Sequence, residues 1–200
     1  SPPADYERAV NTFRARLHAN SAGWSQCPVQ AARLRLPDTV DVIMDHARRH
    51  QKYPYGGWNS PAGALKGSST GATDTPYFDA AGVNMTALEE TLMQCHSPIA
   101  QGKTDGRGPI VLIPSVRKDW SGRFKLRARG GFTVTAEFTK GQNTAALTVY
   151  SERGEPLSVH NPFTVCRIMS NGAVLKTTTD AVITIPTVAG EHYQFTPHTD

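Results

Sequence analysis

The chain has 200 residues, of which 38% are apolar and 19% charged, enough apolar content for a folded core and too little charge for a disordered chain. Its formal charge of +4 is scattered, and no stretch approaches the roughly 18 apolar residues of a membrane span, so neither a nucleic-acid nor a membrane partner is expected. Three cysteines without a CxxC pair (Cys27, Cys95 and Cys166) exclude a disulfide scaffold; one bridge, such as Cys27 with Cys95, and three buried thiols both fit.

The opening, "SPPADYERA", has no signal-peptide pattern, so any targeting segment is expected outside the chain. The first half then reads as helical. "ADYERAVNTFRARL" lines up Tyr6, Val10, Phe13 and Leu17, with Asp5 as a cap. "CPVQAARLRL" carries Pro28 in a first-turn position and a stripe of Val29, Ala32 and Leu36. "PDTVDVIMDHARRH" aligns Val40, Ile43, Met44 and Ala47 and ends on cations that suit the helix dipole. A fourth helix is predicted over 84–95. Met85, Leu88 and Leu92 form its apolar line, and Thr86 and Glu89 have the spacing of a capping box.

Residues 53–82, "YPYGGWNSPAGALKGSSTGATDTPYFDAAG", separate the third and fourth helices. A long irregular segment of this kind inside a domain is functional or disordered, and its aromatic residues argue against simple disorder. After the polar, Gly-rich "QGKTDGRG" (101–108) the period changes. "PIVLIPSV", "RFKLRAR", "GFTVTAEF", "AALTVYSE", "FTVCRIM", "AVLKTT", "AVITIP" and "HYQFT" are short runs with turn residues between most of them. They predict an antiparallel β-sandwich of Greek-key type. The division expected is helices and a loop over 1–104 and a β-domain over 105–200.

Chemistry-bearing residues are few. His46 and His50 have the i, i+4 spacing of zinc ligands, but no HExxH glutamate accompanies them and Arg48 and Arg49 stand between; no metal site and no cofactor are expected. "RARGG" reads as a hairpin turn, and the alternating "KLRAR" (125–129) as the wet face of a strand. Two features remain. Asp79 is a carboxylate on the loop ahead of the fourth helix, between the Tyr77-Phe78 pair and a run of small residues. "YPYGGWN" (53–59) carries Trp58 and Asn59; aromatic faces on a glycine loop can stack on sugar rings or can simply pack the loop onto the helices.

Four segments in order resemble the glycoside hydrolase family 95, the α-L-fucosidase-like six-hairpin enzymes. "TPYFDAAG" (75–82), "ETLMQCH" (90–96), "IVLIPSVRKDW" (110–120) and "LRARGGFTVTAEF" (126–138) match that family's run from the end of its catalytic domain into its C-terminal β-domain. The resemblance covers about a third of the chain, and its last two motifs are the most specific. It implies an α+β two-part chain, in which helical hairpins from the end of an (α/α)6 barrel precede an antiparallel β-sandwich. It also implies a secreted or periplasmic enzyme that cleaves a terminal, α-L-fucoside-like sugar from a glycan with inversion. Asp79 falls on the family's water-activating base, with Trp58, Asn59 and Tyr77 as sugar contacts. Such a base works with a partner acid roughly 6.5–9.5 Å away. No counterpart of that acid occurs in residues 1–74, and four helices cannot close a twelve-helix barrel. The expected partner is therefore a missing N-terminal portion of the same enzyme, and this chain alone is expected to be inactive. The family's Gly-Asn after the aspartate is Ala80-Ala81 here. A non-catalytic carbohydrate-binding or scaffold piece, or a degenerate glycan-binding relative, are the alternatives.

Overall fold

A computed structural model describes residues 4–16, 26–49, 78–96, 107–143 and 147–198, with side chains for all of these except 46–49, 78–81, 107 and 143. The chain forms two compact units, Ser1–Thr91 and Leu92–Asp200.

Within the described residues the first unit holds four helices: α1 (Ala4–Arg14), α2 (Cys27–Arg33), α3 (Pro37–Arg49) and α4 (Phe78–Leu92). Of the predicted stripes on the first three, Val10, Phe13, Val29, Ala32, Val40 and Ile43 are buried and Tyr6, Leu36 and Met44 half-buried; Leu17 and the side chain of Ala47 lie outside the described residues. Phe13 of α1, Cys27, Ala31 and Ala32 of α2, and Val40 and Ile43 of α3 form one apolar cluster, with Leu34, Leu36 and Met44 at its margin. Tyr6 ties α1 down by donating its hydroxyl to the Leu34 carbonyl at 2.5 Å. Asp5 lies inside the first turn of α1, where it pairs with Arg8 at 3.5 Å. Pro28 sits in the first turn of α2, as its missing N–H favours.

The α2–α3 connection explains why α2 stops after seven residues. Arg35 adopts the left-handed conformation, φ 53°. Its N–H donates to the Ala32 carbonyl, and the Leu36 N–H reaches back to the Ala31 carbonyl, both at 3.0 Å. This is a Schellman termination, which closes the last carbonyls of the helix and returns Leu36 to the core. The position usually holds glycine, and here it holds an exposed arginine.

The fourth helix departs from expectation at both ends. It begins at Phe78 instead of Asn84, because Ala80 and Ala81, read as loop residues, are the strongest helix formers. Thr86 is therefore in mid-helix and not a cap; its hydroxyl donates to the Gly82 carbonyl at 2.9 Å. The helix ends at Leu92 instead of Cys95. Met93–His96 becomes strand β1, because Leu112 and Val111 of the next strand offer an antiparallel partner that overrides local propensity. The buried face of α4 also differs. Ala87 and Thr91 are fully buried, whereas Met85 is 65% and Leu88 40% exposed. Small side chains four apart let a helix backbone approach its neighbours closely, a signal that a count of large apolar residues does not register.

The second unit is a two-sheet structure with one core. After β1 come β2 (Arg107–Leu112), β3 (Gly122–Ala128), β4 (Phe132–Thr139), β5 (Gln142–Asn143), β6 (Leu147–Ser151), β7 (Leu157–His160), β8 (Cys166–Ser170), β9 (Ala173–Thr178), β10 (Val182–Ile185) and β11 (His192–Pro197). The small sheet has the order β1-β2-β7-β10 and the large one β3-β4-β6-β11-β8-β9, with the short β5 paired to β4. All pairs are antiparallel except β2 with β7, which meet in parallel at Ile110 and Val159. The expected runs are all present as strands; β1, β5 and β7 are additions, each too short or too polar to stand out. Alternation places Phe132, Val134, Ala136 and Phe138 of β4 inward, with Leu147 and Val149 of β6 and Tyr193 and Phe195 of β11. They join Ile110, Leu157, Val159 and Ile183 of the small sheet in a single cluster.

Turns match their sequences. Residues 129–131 close the β3–β4 hairpin, and Asn171-Gly172, both at positive φ, form the two-residue β8–β9 turn. A polar clamp fixes one end of the large sheet. The Tyr193 hydroxyl accepts from the Val188 N–H at 2.8 Å and donates to Glu191 at 3.2 Å. Glu191 also accepts from Ser170 and Asn171 at 3.2 and 3.1 Å, and Ser151 pairs with Thr187 at 2.8 Å. A tyrosine hydroxyl bonded to backbone a few residues upstream is the device known as a tyrosine corner. Gly154, at φ 72°, packs against this end; a Cβ there would lie 3.1 Å from the Ala189 nitrogen.

Two outcomes follow from these contacts. Tyr193→Phe removes the acceptor of the Val188 N–H and the donor to Glu191, and should lower stability by about 0.5–1.5 kcal/mol in chemical denaturation. Arg35→Gly relieves the left-handed residue and should raise the stability of the helical unit by about 0.5–1 kcal/mol; a loss of stability would contradict the termination described.

Candidate functional site

The carboxylate singled out in the sequence, Asp79, is the second residue of α4, not part of a loop ahead of it. An acidic residue at that position is favoured by the unsatisfied N–H groups and the positive end of the helix dipole. Its side chain is outside the described residues, as are the whole of Tyr77 and the segment carrying Trp58 and Asn59. Farther along α4 a charged side chain ties the helix to its neighbour. There Glu90 pairs with Arg33 of α2 at 2.7 Å, joining the two helices. Of the zinc-spaced pair, His46 lies on α3 without a described side chain, and His50 lies outside the described residues.

The motifs downstream of Asp79 have clear structural work. "ETLMQCH" ends α4 and forms β1. "IVLIPSVRKDW" forms the second half of β2 and the turn after it. In that turn Ile113 takes a left-handed φ of 45°, and its N–H donates to the Leu92 carbonyl at 2.7 Å. Such a conformation is costly for a β-branched residue and persists because its surroundings impose it. Ser115 and Val116 are buried behind it. Arg117 grips Asp119 through two hydrogen bonds of 2.8 Å, which hold the Asp119 carboxyl below its ordinary range. Trp120 closes the turn, its N–H on the Arg117 carbonyl at 3.1 Å. "LRARGGFTVTAEF" is the β3–β4 hairpin.

The other shifted groups are also accounted for by packing. On the surface, hydrogen bonds from Lys176 and Thr178 lower the Asp180 carboxyl. Burial, with the Glu191 carboxylate beside it, raises the Tyr193 hydroxyl. Cys27, Cys95 and Cys166 are free thiols; Cys27 and Cys166 are buried and Cys95 is half-buried. Burial pushes the Cys166 thiol up to about 11. Among the described residues no group of three or more His, Cys, Asp or Glu is placed to hold a metal ion, and no helix is long and apolar enough to cross a membrane. In comparisons with protein-family models and with curated proteins, the chain matches none.

The Cys166 shift has a signed consequence. The folded state holds the proton up to about pH 11, whereas the unfolded thiol releases it near 9. The stability is therefore complete below pH 9 and falls as pH rises towards 11, by about 2–3 kcal/mol. Cys166→Ala should remove most of that alkaline slope in urea titrations, and native alkylation should label Cys95 well before Cys166.

Proposed function

We propose that this chain is the C-terminal part of a fucosidase-like glycoside hydrolase that cleaves a terminal sugar from glycans with inversion. The reading rests on the family-like motifs between residues 75 and 138, which occupy α4, β1, β2 and the β3–β4 hairpin as the chain passes from a helical unit to a β-sandwich. In this reading Asp79 is the base that activates water, and Trp58, Asn59 and Tyr77 contact the sugar. The partner acid comes from an N-terminal portion of the same enzyme. Helix surfaces support the idea of missing neighbours: Met85 and Leu88 on α4 and Val42 on α3, the last 68% exposed, present apolar side chains that further helical hairpins would cover. The enzyme would be secreted or periplasmic, would act on a glycan or oligosaccharide and would need no cofactor.

A second reading has its own observation. The second position of α4 gives Asp79 a helix-stabilising role, and Ala80-Ala81 replace the family's Gly-Asn. The chain would then be a glycan-binding or scaffold piece without the chemistry.

Asp79→Asn in the full-length enzyme separates the two. As a base, Asp79 contributes about 10²–10⁴ to the rate, so kcat should fall on that scale with the melting temperature nearly unchanged. Near-wild-type turnover would leave Asp79 a helix-end residue. The 200-residue chain by itself should not turn over aryl glycosides; measurable release of the aryl group would refute the division of the active site between two portions.

A further inference from the structure

The outward face of the large sheet carries a row of polar side chains that the protein itself does not use. Strand register sets Lys125 of β3 beside Thr135 of β4, Thr148 of β6 and Gln194 of β11. All four alternate with buried neighbours and so point away from the core. Among the described residues none of the four makes a side-chain hydrogen bond or an ion pair. The flanking positions differ. Arg127 is paired with Glu152, which also accepts from Thr133 at 3.2 Å. Arg123 pairs with Glu137 at 3.4 Å, and Arg167 donates to His198 at 2.5 Å. An uncommitted row therefore lies between engaged ones.

Beside this row lie two rings. Tyr150 and His192 face each other across β6 and β11 with centroids 4.8 Å apart and planes tilted by 42°. The face thus offers hydroxyls, an amide and an ammonium in line, with a half-exposed aromatic platform alongside. At the ordinary strand spacing the row runs roughly 14 Å from Lys125 to Gln194, the footprint of a few linked pyranoses. The charges here are Arg123, Lys125, Arg127 and Arg167 against Glu137 and Glu152, a surplus of two cations, and the unpaired one is Lys125.

We propose that this face of the sandwich binds an anionic polysaccharide, with a sugar ring on the Tyr150–His192 platform, ring hydroxyls on Thr135, Thr148 and Gln194, and a carboxylate on Lys125. One free ammonium suits a polymer of sparse charge, such as a uronate-bearing chain. Nucleic acid, with a phosphate at every residue, needs more free cations and more stacking rings than stand here. The choice of a glycan rests on the function proposed above; the row itself does not.

Affinity electrophoresis of the 200-residue chain through gels containing polygalacturonate, a neutral glucan or poly(U) tests it. Polygalacturonate should retard the chain, and added salt should weaken the retardation. Tyr150→Ala and Lys125→Glu should each weaken it about tenfold or more, and Ser158→Ala on the small sheet should leave it unchanged. Tyr150 is half-buried, so thermal melts accompany that variant; Lys125 is exposed, and its reversal decides the matter if Tyr150→Ala unfolds. Absence of retardation, equal retardation by the neutral glucan, stronger retention by poly(U), or indifference to Lys125→Glu overturns the proposal. Hydrolysis is not read in this experiment, so loss of the Asp79 reading leaves its outcome standing, and the reverse holds.

Discussion

Burial of one face along the strands of the large sheet is the constraint on which the second unit depends. Val134, Leu147, Val149, Ile168 and Phe195 are almost completely shielded from water and meet Leu157, Val159 and Ile183 of the small sheet. Full burial of such a side chain contributes about 1.5–3 kcal/mol. A slip of one residue would turn Thr135, Thr148 and Gln194 inward and the aliphatic residues outward, so register is set by the core and not by the turns alone. The tyrosine clamp depends on the same register. Tyr193 reaches Val188 and Glu191 because Phe195, two residues on, is anchored between Leu147 and Ile168.

The helical unit is built differently. Its cluster combines Ala31 and Ala32 with Phe13, Cys27, Val40 and Ile43, and its helices are short. Ala31, Ala32 and Ala87 have no exposed surface. Specific polar contacts then fix the arrangement, with Tyr6 on the Leu34 carbonyl, Arg33 on Glu90 and the back-bonded turn at Arg35. Val10, Phe13, Val29, Val40 and Ile43 are buried in this unit, whereas Val42, Met85 and Leu88 are exposed.

Function is written less plainly than fold. The carboxylate at 79 is conspicuous in the sequence because an acid among small residues is unusual, yet a helix start accounts for an acid there as well as catalysis does. Trp58, Asn59 and Tyr77 lie outside the described residues, so aromatic content alone speaks for them. The row from Lys125 to Gln194 was half visible. "KLRAR" shows that Lys125 faces water, but that Thr135, Thr148 and Gln194 stand in line with it is a fact of strand order.

The sequence by itself determined what local chemistry determines. The change of hydrophobic period separated helices from strands. Pro28 marked a helix start, and the "RARGG" turn marked a hairpin, because each residue type has its conformational preference wherever it stands. The tertiary structure decided what depends on residues distant in the chain. Met93–His96 extends a helical pattern and becomes a strand because β2 supplies its hydrogen-bond partners. Met85 and Leu88 look like a core stripe and are exposed, while the small Ala87 and Thr91 are the buried residues. The parallel meeting of β2 and β7 and the order of the large sheet bring together segments dozens of residues apart. Such pairings are chosen by the packing of whole faces, and no window of neighbouring residues contains that information.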